Sequence, residues 1–127
     1  QMYDLVCDIP AYKDFLPWCV ESKVLTQGEN TVNAKLWVKK GLIETEFATI
    51  NTLNPNLSIN MRLIEGPFDH LDGVWEFTEL DTNACKVELT LSYSFSNKAF
   101  SLALQPIFTY IGNQMLDSFC KRAKEIL

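Results

Sequence analysis

The chain has 127 residues, of which 47% are hydrophobic and 21% are charged, and its formal net charge is −5. This length fits about one domain, and the sequence has neither a run of 18 apolar residues nor a charged-then-apolar leader, so no membrane span and no signal peptide is predicted. The eleven lysines and arginines are mostly scattered, which argues against binding nucleic acid through a broad basic face.

The first segment of the chain is predicted to be a short helix over residues 2–9, which Pro10 ends. The sequence AYKDFLPWC follows at residues 11–19, where three aromatic residues and a proline predict a turn-rich stretch. Because the chain begins at Gln1 and enters an apolar-periodic segment at once, we expect that upstream residues, including a first strand, are missing from this sequence.

Six strands are predicted in the middle of the chain, because apolar and polar residues alternate with a period of two between turn signals. The predicted ranges are 20–26, 31–38, 43–53, 57–63, 71–80 and 85–95. The turn signals between them are Gly28-Glu29-Asn30, Asn54-Pro55-Asn56, the Gly66-Pro67 corner and residues 81–83. In the last strand one face is apolar and the other carries lysine, glutamate, threonine and serine, which is typical of a sheet with one face in solvent.

The C-terminal segment, residues 98–127, is predicted to be the helix that covers this sheet. Its apolar residues recur at steps of three and four: Phe100, Leu104, Ile107, Phe108, Ile111, Met115, Phe119, Ala123 and Ile126. The serine or asparagine just before it can cap its start. Pro106 lacks a backbone donor, so we expect a kink or break near Leu104. The order helix, six strands, long helix predicts one α+β domain over residues 1–127, with a curled antiparallel sheet wrapped around the long helix.

The sequence shows no clear metal site and no clear catalytic group. Four cysteines at long, irregular spacings, without a C-x-x-C pair, are predicted to be free buried thiols: Cys7, Cys19, Cys85 and Cys120. His70 is the single histidine, and no Ser-His-Asp or Cys-His arrangement accompanies it. Glu44 and Glu46 share a strand face beside Lys39-Lys40 and are predicted to form a solvated surface. We therefore predict that the protein is not an enzyme and requires no cofactor or metal.

A curled sheet wrapped on one helix leaves a gap that suits an apolar ligand. The inward sets of the strands and of the helix are rich in bulky residues, and we predict that these line the gap: Phe47, Met61, Leu63, Trp75, Phe77, Tyr93, Leu104 and Phe108. Four more aromatic residues fall in loops or at element ends, where we predict a rim: Phe15, Trp18, Phe68 and Phe100. The alternative is that all of them fill an ordinary core at normal packing density.

The Gly66-Pro67 corner directly precedes Phe68. Glycine permits a backbone angle closed to other residues, and proline fixes the next one, so Phe68 is predicted to be held at the mouth of the cavity. Phe15 and Trp18 are predicted to close the same mouth from the other side. On this interpretation Phe68→Ala weakens ligand binding at little cost in stability, whereas Leu91→Ala costs about 2–5 kcal/mol. The alternative is a plain structural turn.

Three stretches carry a resemblance to known proteins: YKDFLPWC at residues 12–19, EGPFDHLDGVWEFTEL at 65–80 and FCKRAKEI at 119–126. On these motifs the chain resembles the coenzyme Q-binding protein and ribosome-association toxin family, within the START-like polyketide cyclase superfamily. The resemblance implies a helix-grip fold with a strand before the short helix. It also implies a cavity between sheet and helix that binds ubiquinone or a related lipid, and bacterial members that hinder association of ribosomal subunits.

The functions that this resemblance implies are stated here as expectations. The main one is binding of ubiquinone or a related isoprenoid lipid in support of respiratory quinone function. The tail of a long ligand then protrudes, reaches a membrane or is covered by a second copy of the protein. The alternative is a ribosome-association toxin that binds the large ribosomal subunit and blocks subunit joining. A polyketide cyclase-like enzyme is a second alternative.

The basic triplet Lys121-Arg122-Lys124 bears on the ribosomal alternative. It can make a local contact with RNA, or it serves only to balance the helix dipole. The expected location of the protein is the bacterial cytoplasm, with peripheral contact at the inner membrane. The sequence leaves open a mitochondrial origin, the identity of the ligand and the oligomeric state, including a dimer.

Overall fold

The structure is a computed structural model that describes residues 2–81 and 84–126. Its elements in chain order are α1 (Met2–Cys7), a 3-10 helix (Ile9–Asp14), β1 (Cys19–Gln27), β2 (Thr31–Lys40), β3 (Ile43–Asn54), β4 (Ser58–Glu65), β5 (Phe68–Asp81), β6 (Ala84–Phe95) and α2 (Lys98–Ile126). The six strands form an antiparallel sheet in the order β1-β2-β3-β4-β5-β6, so each strand pairs with its neighbours in the sequence. The predicted α+β order of short helix, six strands and long helix is confirmed.

One row of residues across the inner face of the sheet shows where space is left in the core. Strand pairing aligns five residues in this row, one from each of β2 to β6: Val32, Asn51, Met61, Gly73 and Leu91. Directly paired residues of an antiparallel sheet point to the same face, so all five face α2. Gly73 contributes no side chain, and the row therefore has a gap on β5.

The helix α2 lies across the inner face of the sheet and buries its apolar side there: Leu104, Ile107, Phe108, Ile111 and Phe119. It runs unbroken for about 44 Å, so the predicted break near Leu104 is wrong. Pro106 withholds one hydrogen bond from the carbonyl of Leu102, and Leu102 is exposed, so water can reach that carbonyl. The burial of Ile107 and Phe108 directly after the proline holds the helix on its course. A bend at this point stays a prediction.

Most strand boundaries differ from the predicted ones by one or two residues, and three differences change the description of the fold. The helix α1 ends at Cys7, because a 3-10 helix occupies Ile9–Asp14. The strand β5 begins at Phe68, three residues before its predicted start, since Phe68 already pairs with Phe95 of β6. Leu57, which we predicted to begin the fourth strand, lies in the preceding turn and is exposed.

Some predicted features fall outside the described residues. The predicted turn at residues 81–83 does so except for Asp81, which ends β5. The same holds for Gln1, for the side chain of Ile126 and for Leu127.

The predicted cap at the start of α2 is confirmed. The backbone N–H of Phe100 donates a hydrogen bond to Asn97 Oδ1 at 2.9 Å. Within the described ranges, no helix is both long and apolar enough to span a membrane.

The four cysteines are free, as predicted, but not all four are buried. Cys19 is buried, and burial raises the pKa of its thiol to about 11. Cys85 and Cys120 are exposed, so the prediction of buried thiols is wrong for these two. Cys120 directly follows the buried Phe119 on α2 and therefore turns away from the sheet.

Candidate functional site

An apolar cavity of about 70 Å³ lies between the inner face of the sheet and α2. Its walls come from the 3-10 helix, from β2 to β6 and from α2: Ile9, Tyr12, Ala34, Leu36, Phe47, Thr49, Asn51, Met61, Leu71, Gly73, Trp75, Leu91, Tyr93, Phe108, Ile111, Met115 and Phe119. The gap above Gly73 and the small side chain of Ala34 leave this space open. A Cβ atom on Gly73 would lie 2.5 Å from Met61 Cε, so the methionine tip already reaches into the gap.

A second cavity, of about 90 Å³, lies beside the first, on the side of α1. The two cavities share five lining residues, which form the wall between them: Ile9, Tyr12, Asn51, Met61 and Trp75. Sites for drug-sized ligands usually measure about 300–1,000 Å³. Each cavity is therefore too small for a quinone ring until a side chain moves. Met61, in the shared wall, and Met115 are the flexible side chains best able to do so.

Five aromatic residues pack around the Gly66-Pro67 corner, and we call them the corner cluster: Phe47, Phe68, Tyr93, Phe95 and Phe108. Phe68 is at its centre, with ring centroids 4.9 Å from Phe108 and 5.3 Å from Phe95. Only 5% of Phe68 is exposed, so the prediction that it stands at an open rim is wrong. The pairing of Phe68 with Phe95 on β6 turns the ring inward.

The corner itself requires glycine, as predicted. Gly66 has a φ of 151°, which side-chain-bearing residues rarely adopt. A Cβ atom there would lie only 2.8 Å from Phe47 Cβ, so the backbone also passes too close to β3 for any side chain. The carbonyl of Pro67 accepts a hydrogen bond from the backbone N–H of Ser96 at 3.1 Å. The corner thus fixes the start of β5 against the end of β6.

A second group of rings, the Trp75 cluster, lies where the 3-10 helix meets the later part of α2: Tyr3, Tyr12, Phe15, Trp75, Phe77 and Phe119. The Tyr12 hydroxyl donates to the carbonyl of Val6. Burial raises the pKa of Tyr12 far above its ordinary value, so this side chain stays neutral. Among the described residues, no ring contact joins the two clusters, and the first cavity takes part of its lining from each.

Of the twelve predicted site residues, five line the first cavity: Phe47, Met61, Trp75, Tyr93 and Phe108. The other seven do not: Phe15, Trp18, Leu63, Phe68, Phe77, Phe100 and Leu104. Phe15 lies half-buried under Arg122, whose guanidinium carbon is 5.4 Å from the ring centroid. Phe100 is 43% exposed, and Trp18 is almost completely buried. The structure does not bring Phe15, Trp18 and Phe68 together at one opening. Their contact with a ligand stays a prediction.

Several cavity residues were missed by the sequence analysis. Thr49 and Asn51 are the most informative, because they place a buried polar pair in an otherwise apolar wall. The sequence feature that could have identified them is their alternation on β3, because Thr49 and Asn51 lie on the same face of the strand as Phe47. Gly73 was missed because its role depends on alignment with Met61, which only the sheet register shows.

The cavity lining favours binding over acid–base catalysis. Among the described residues that line it, none carries a carboxylate, imidazole, thiol or cationic group, and the titratable ones are Tyr12 and Tyr93. His70 lies on the opposite, exposed face of β5, where its ring nitrogens are 3.1 Å from Ser92 Oγ and 2.9 Å from Ser94 Oγ. A general acid or base needs to reach the bound molecule, and His70 faces away from this cavity.

Comparison with known proteins places this geometry in a family. The family model described as polyketide cyclase / dehydrase and lipid transport matches residues 1–120. The chain belongs to this family. The fold of one solved structure, the Zhui aromatase/cyclase from Streptomyces sp. R1128, agrees with a TM-score of 0.84 at 17% identity, over 97% of this chain and 84% of that one.

Two curated relatives refine the position of the chain within the polyketide cyclase family. It is 43% identical over 125 residues to the ribosome association toxin RatA of Pseudomonas aeruginosa, covering 98% of this chain and 87% of that protein. It is 29% identical to the coenzyme Q-binding protein COQ10 homolog B, mitochondrial, of Xenopus laevis, covering 99% of this chain and 53% of that protein. The resemblance identified from the sequence motifs is confirmed.

Proposed function

We propose that this protein is a cytoplasmic ribosome association toxin, which binds the large ribosomal subunit and hinders its joining to the small one. The identity of 43% over 98% of the chain to a protein of that name supports this proposal most directly. Identity to the relative named for coenzyme Q binding is lower, at 29%. The ribosomal alternative therefore has better support than the quinone function that the motifs alone put first.

The distribution of charge limits how such a protein can touch ribosomal RNA. The net charge of −5 and the scattered lysines and arginines disfavour a broad basic face, so we expect contacts with phosphates to be local. At the end of α2, Lys121 and Lys124 are exposed, and neither forms an ion pair with a described residue. Arg122 instead packs over Phe15. The two lysines are thus the members of the basic triplet that are free to contact a phosphate.

Adding the protein to dissociated ribosomal subunits should lower the fraction that re-forms whole ribosomes. The physical reason is exclusion, because a protein bound at the joining face blocks the partner subunit. Sucrose-gradient centrifugation measures the fraction and shows whether the protein sediments with the large subunit. An unchanged profile at high molar excess, without co-sedimentation, would contradict the proposal.

A pair of matched charge variants tests where the contact lies. The variant Lys121→Ala/Lys124→Ala should weaken both the inhibition of subunit joining and the co-sedimentation. It should also reduce their dependence on salt, because a protein that makes fewer phosphate contacts releases fewer counterions when it binds. The variant Lys86→Ala/Lys98→Ala changes the net charge equally at other surfaces and should leave both effects intact. Equal weakening by the two variants would assign the effect to net charge instead of a local contact.

A second candidate function is binding of an apolar ligand, and the cavity between sheet and α2 is the observation that favours it. We propose that the cavity takes up the ring of ubiquinone or a related isoprenoid lipid while the tail protrudes. Entry of a ring requires Met61 and Met115 to move, because the present volume is about 70 Å³. The two functions are compatible, since one uses the interior of the protein and the other its surface.

Protein purified from cells should carry or take up such a lipid. Organic extraction followed by mass spectrometry detects a bound lipid, and added ubiquinone should quench tryptophan fluorescence because Trp75 lines both cavities. Trp37 lies on the outer face, between Lys23 and Lys35 at 5.8 and 5.1 Å, and should not respond. Trp75→Phe should therefore abolish most of the quenching. A lipid-free extract together with no quenching would remove this candidate.

A further inference from the structure

A polar pair on β3, Thr49 and Asn51, is the feature of the cavity that packing alone does not explain. The two residues are 7% and 8% exposed. The hydroxyl of Thr49 donates a hydrogen bond to Asn51 Oδ1 at 2.8 Å. Buried polar groups are normally placed where their hydrogen-bonding capacity is used, so each remaining donor or acceptor of this pair needs a partner.

The hydrogen bond from Thr49 orients the carboxamide of Asn51. With its oxygen turned to Thr49, the nitrogen and its two N–H donors point away from that residue. None of the residues 2–81 and 84–126 accepts a hydrogen bond from this nitrogen. Asn51 lines both cavities and stands in the wall between them. Two N–H donors without a described protein acceptor therefore stand in the wall between the two cavities.

The surroundings of Asn51 limit the chemistry of a group that could accept these hydrogen bonds. The described residues that line the two cavities include no lysine, arginine or histidine, so a buried carboxylate or phosphate would have no counter-charge from them. The hydroxyl of Tyr12, in the same wall, already donates to the Val6 carbonyl. An uncharged acceptor attached to an apolar body satisfies both the donors of Asn51 and the apolar walls.

We propose that Asn51, oriented by Thr49, recognises the head group of the ligand in this cavity, and that the ligand is an uncharged apolar molecule carrying a carbonyl oxygen. This inference rests on the second candidate function, binding of an apolar ligand. A quinone, a ketone or an ester has the required acceptor. A pure hydrocarbon lacks it, and a fatty-acid anion brings a charge that the cavity does not neutralise.

The test compares three probes: ubiquinone-1, which has a single isoprenoid unit, prenylbenzene, which has no oxygen, and decanoate, which is charged. The variant Asn51→Leu keeps the number of side-chain heavy atoms and removes both donors. It should weaken binding of ubiquinone-1 about tenfold, the usual effect of losing one hydrogen bond to a neutral group, and leave binding of prenylbenzene unchanged. Decanoate should bind the wild-type protein least. Asn60→Leu, on the exposed face of β4, is the matched control and should change nothing.

A spectroscopic measurement separates recognition from a structural role. Hydrogen bonding lowers the carbonyl stretching frequency of bound ubiquinone-1 in the infrared, and Asn51→Leu should return it toward the free value. Thr49→Val, which keeps Asn51 but removes the bond that orients it, should give an intermediate shift and an intermediate loss of affinity. Thermal unfolding shows whether each variant is folded. If Asn51→Leu does not fold, Thr49→Val alone still tests the role of Asn51.

The outcomes distinguish this inference from the function on which it rests. If ubiquinone-1 binds the wild type and Asn51→Leu equally, with the same carbonyl frequency, Asn51 does not recognise the head group, although ligand binding stands. If decanoate binds more tightly than ubiquinone-1, the assignment to an uncharged acceptor is overturned. If no probe binds the wild-type protein, the inference and the second candidate function fail together, while the ribosomal proposal is unaffected.

Discussion

Replacing Phe68 by alanine should lower the free energy of unfolding by about 3–5 kcal/mol, the range for truncating a buried phenylalanine. The ring is 5% exposed and contacts all four other members of the corner cluster. The Gly66-Pro67 corner also fixes the backbone beside it, so the neighbouring side chains can collapse only partly into the space that the ring leaves. Denaturant-induced unfolding, followed by circular dichroism, measures the change.

Phe100→Ala is the matched control, because it removes the same side chain from a position that is 43% exposed. Its cost should stay near or below about 1 kcal/mol, as is usual for surface positions. Leu91, which is half-buried on β6 beside the cavity, should fall between the two. The order Phe68, Leu91, Phe100 reverses the sequence-based expectation for Phe68 and Leu91. If Phe68→Ala proves as mild as Phe100→Ala while ubiquinone affinity drops, the rim interpretation returns.

The sheet could be predicted from the sequence because its strands use a period that a helix cannot share. On β2, Val32, Ala34 and Val38 are buried and alternate with partly exposed residues, as the pattern requires. Turn residues then separate the strands at positions that the structure confirms, including Gly28 before β2 and Asn56, with its φ of 63°, before β4. Local chemistry determines these features, so they can be predicted from a single sequence.

The candidate site could be predicted only in part, because it depends on contacts between distant segments. On β3 both phases contain apolar residues, Phe47 and Leu53 in one and Ala48 and Ile50 in the other, so the inward face is ambiguous from the sequence alone. The inward position of Asn51 follows from its pairing with residues of β2 and β4. Likewise, the burial of Phe68 is decided by rings on β6 and α2. Periodicity carries no information about such contacts.

The second large effect is expected at Phe119, which is 0% exposed on α2. Its ring centroid lies 5.1 Å from those of Tyr12 and Phe15 and 5.2 Å from that of Trp75. It thereby joins α2 to the 3-10 helix, to the following loop and to β5. Phe119→Ala should lower the free energy of unfolding by about 3–5 kcal/mol. Phe119→Leu, which retains most of the apolar volume, should cost markedly less.

Phe119 also lines the first cavity, and this position gives the variant a property that ordinary core truncations lack. Removing the ring joins its volume of space to a cavity that already exists, and cavities with apolar walls stay dry and accept small aromatic molecules. Benzene should therefore bind Phe119→Ala and raise its melting temperature, because a ligand that binds only the folded state stabilises it by mass action. Wild type and Phe100→Ala should show no comparable shift. If benzene leaves the melting temperature of Phe119→Ala unchanged, α2 has closed onto the sheet, and the cavity is held open by the aromatic ring itself.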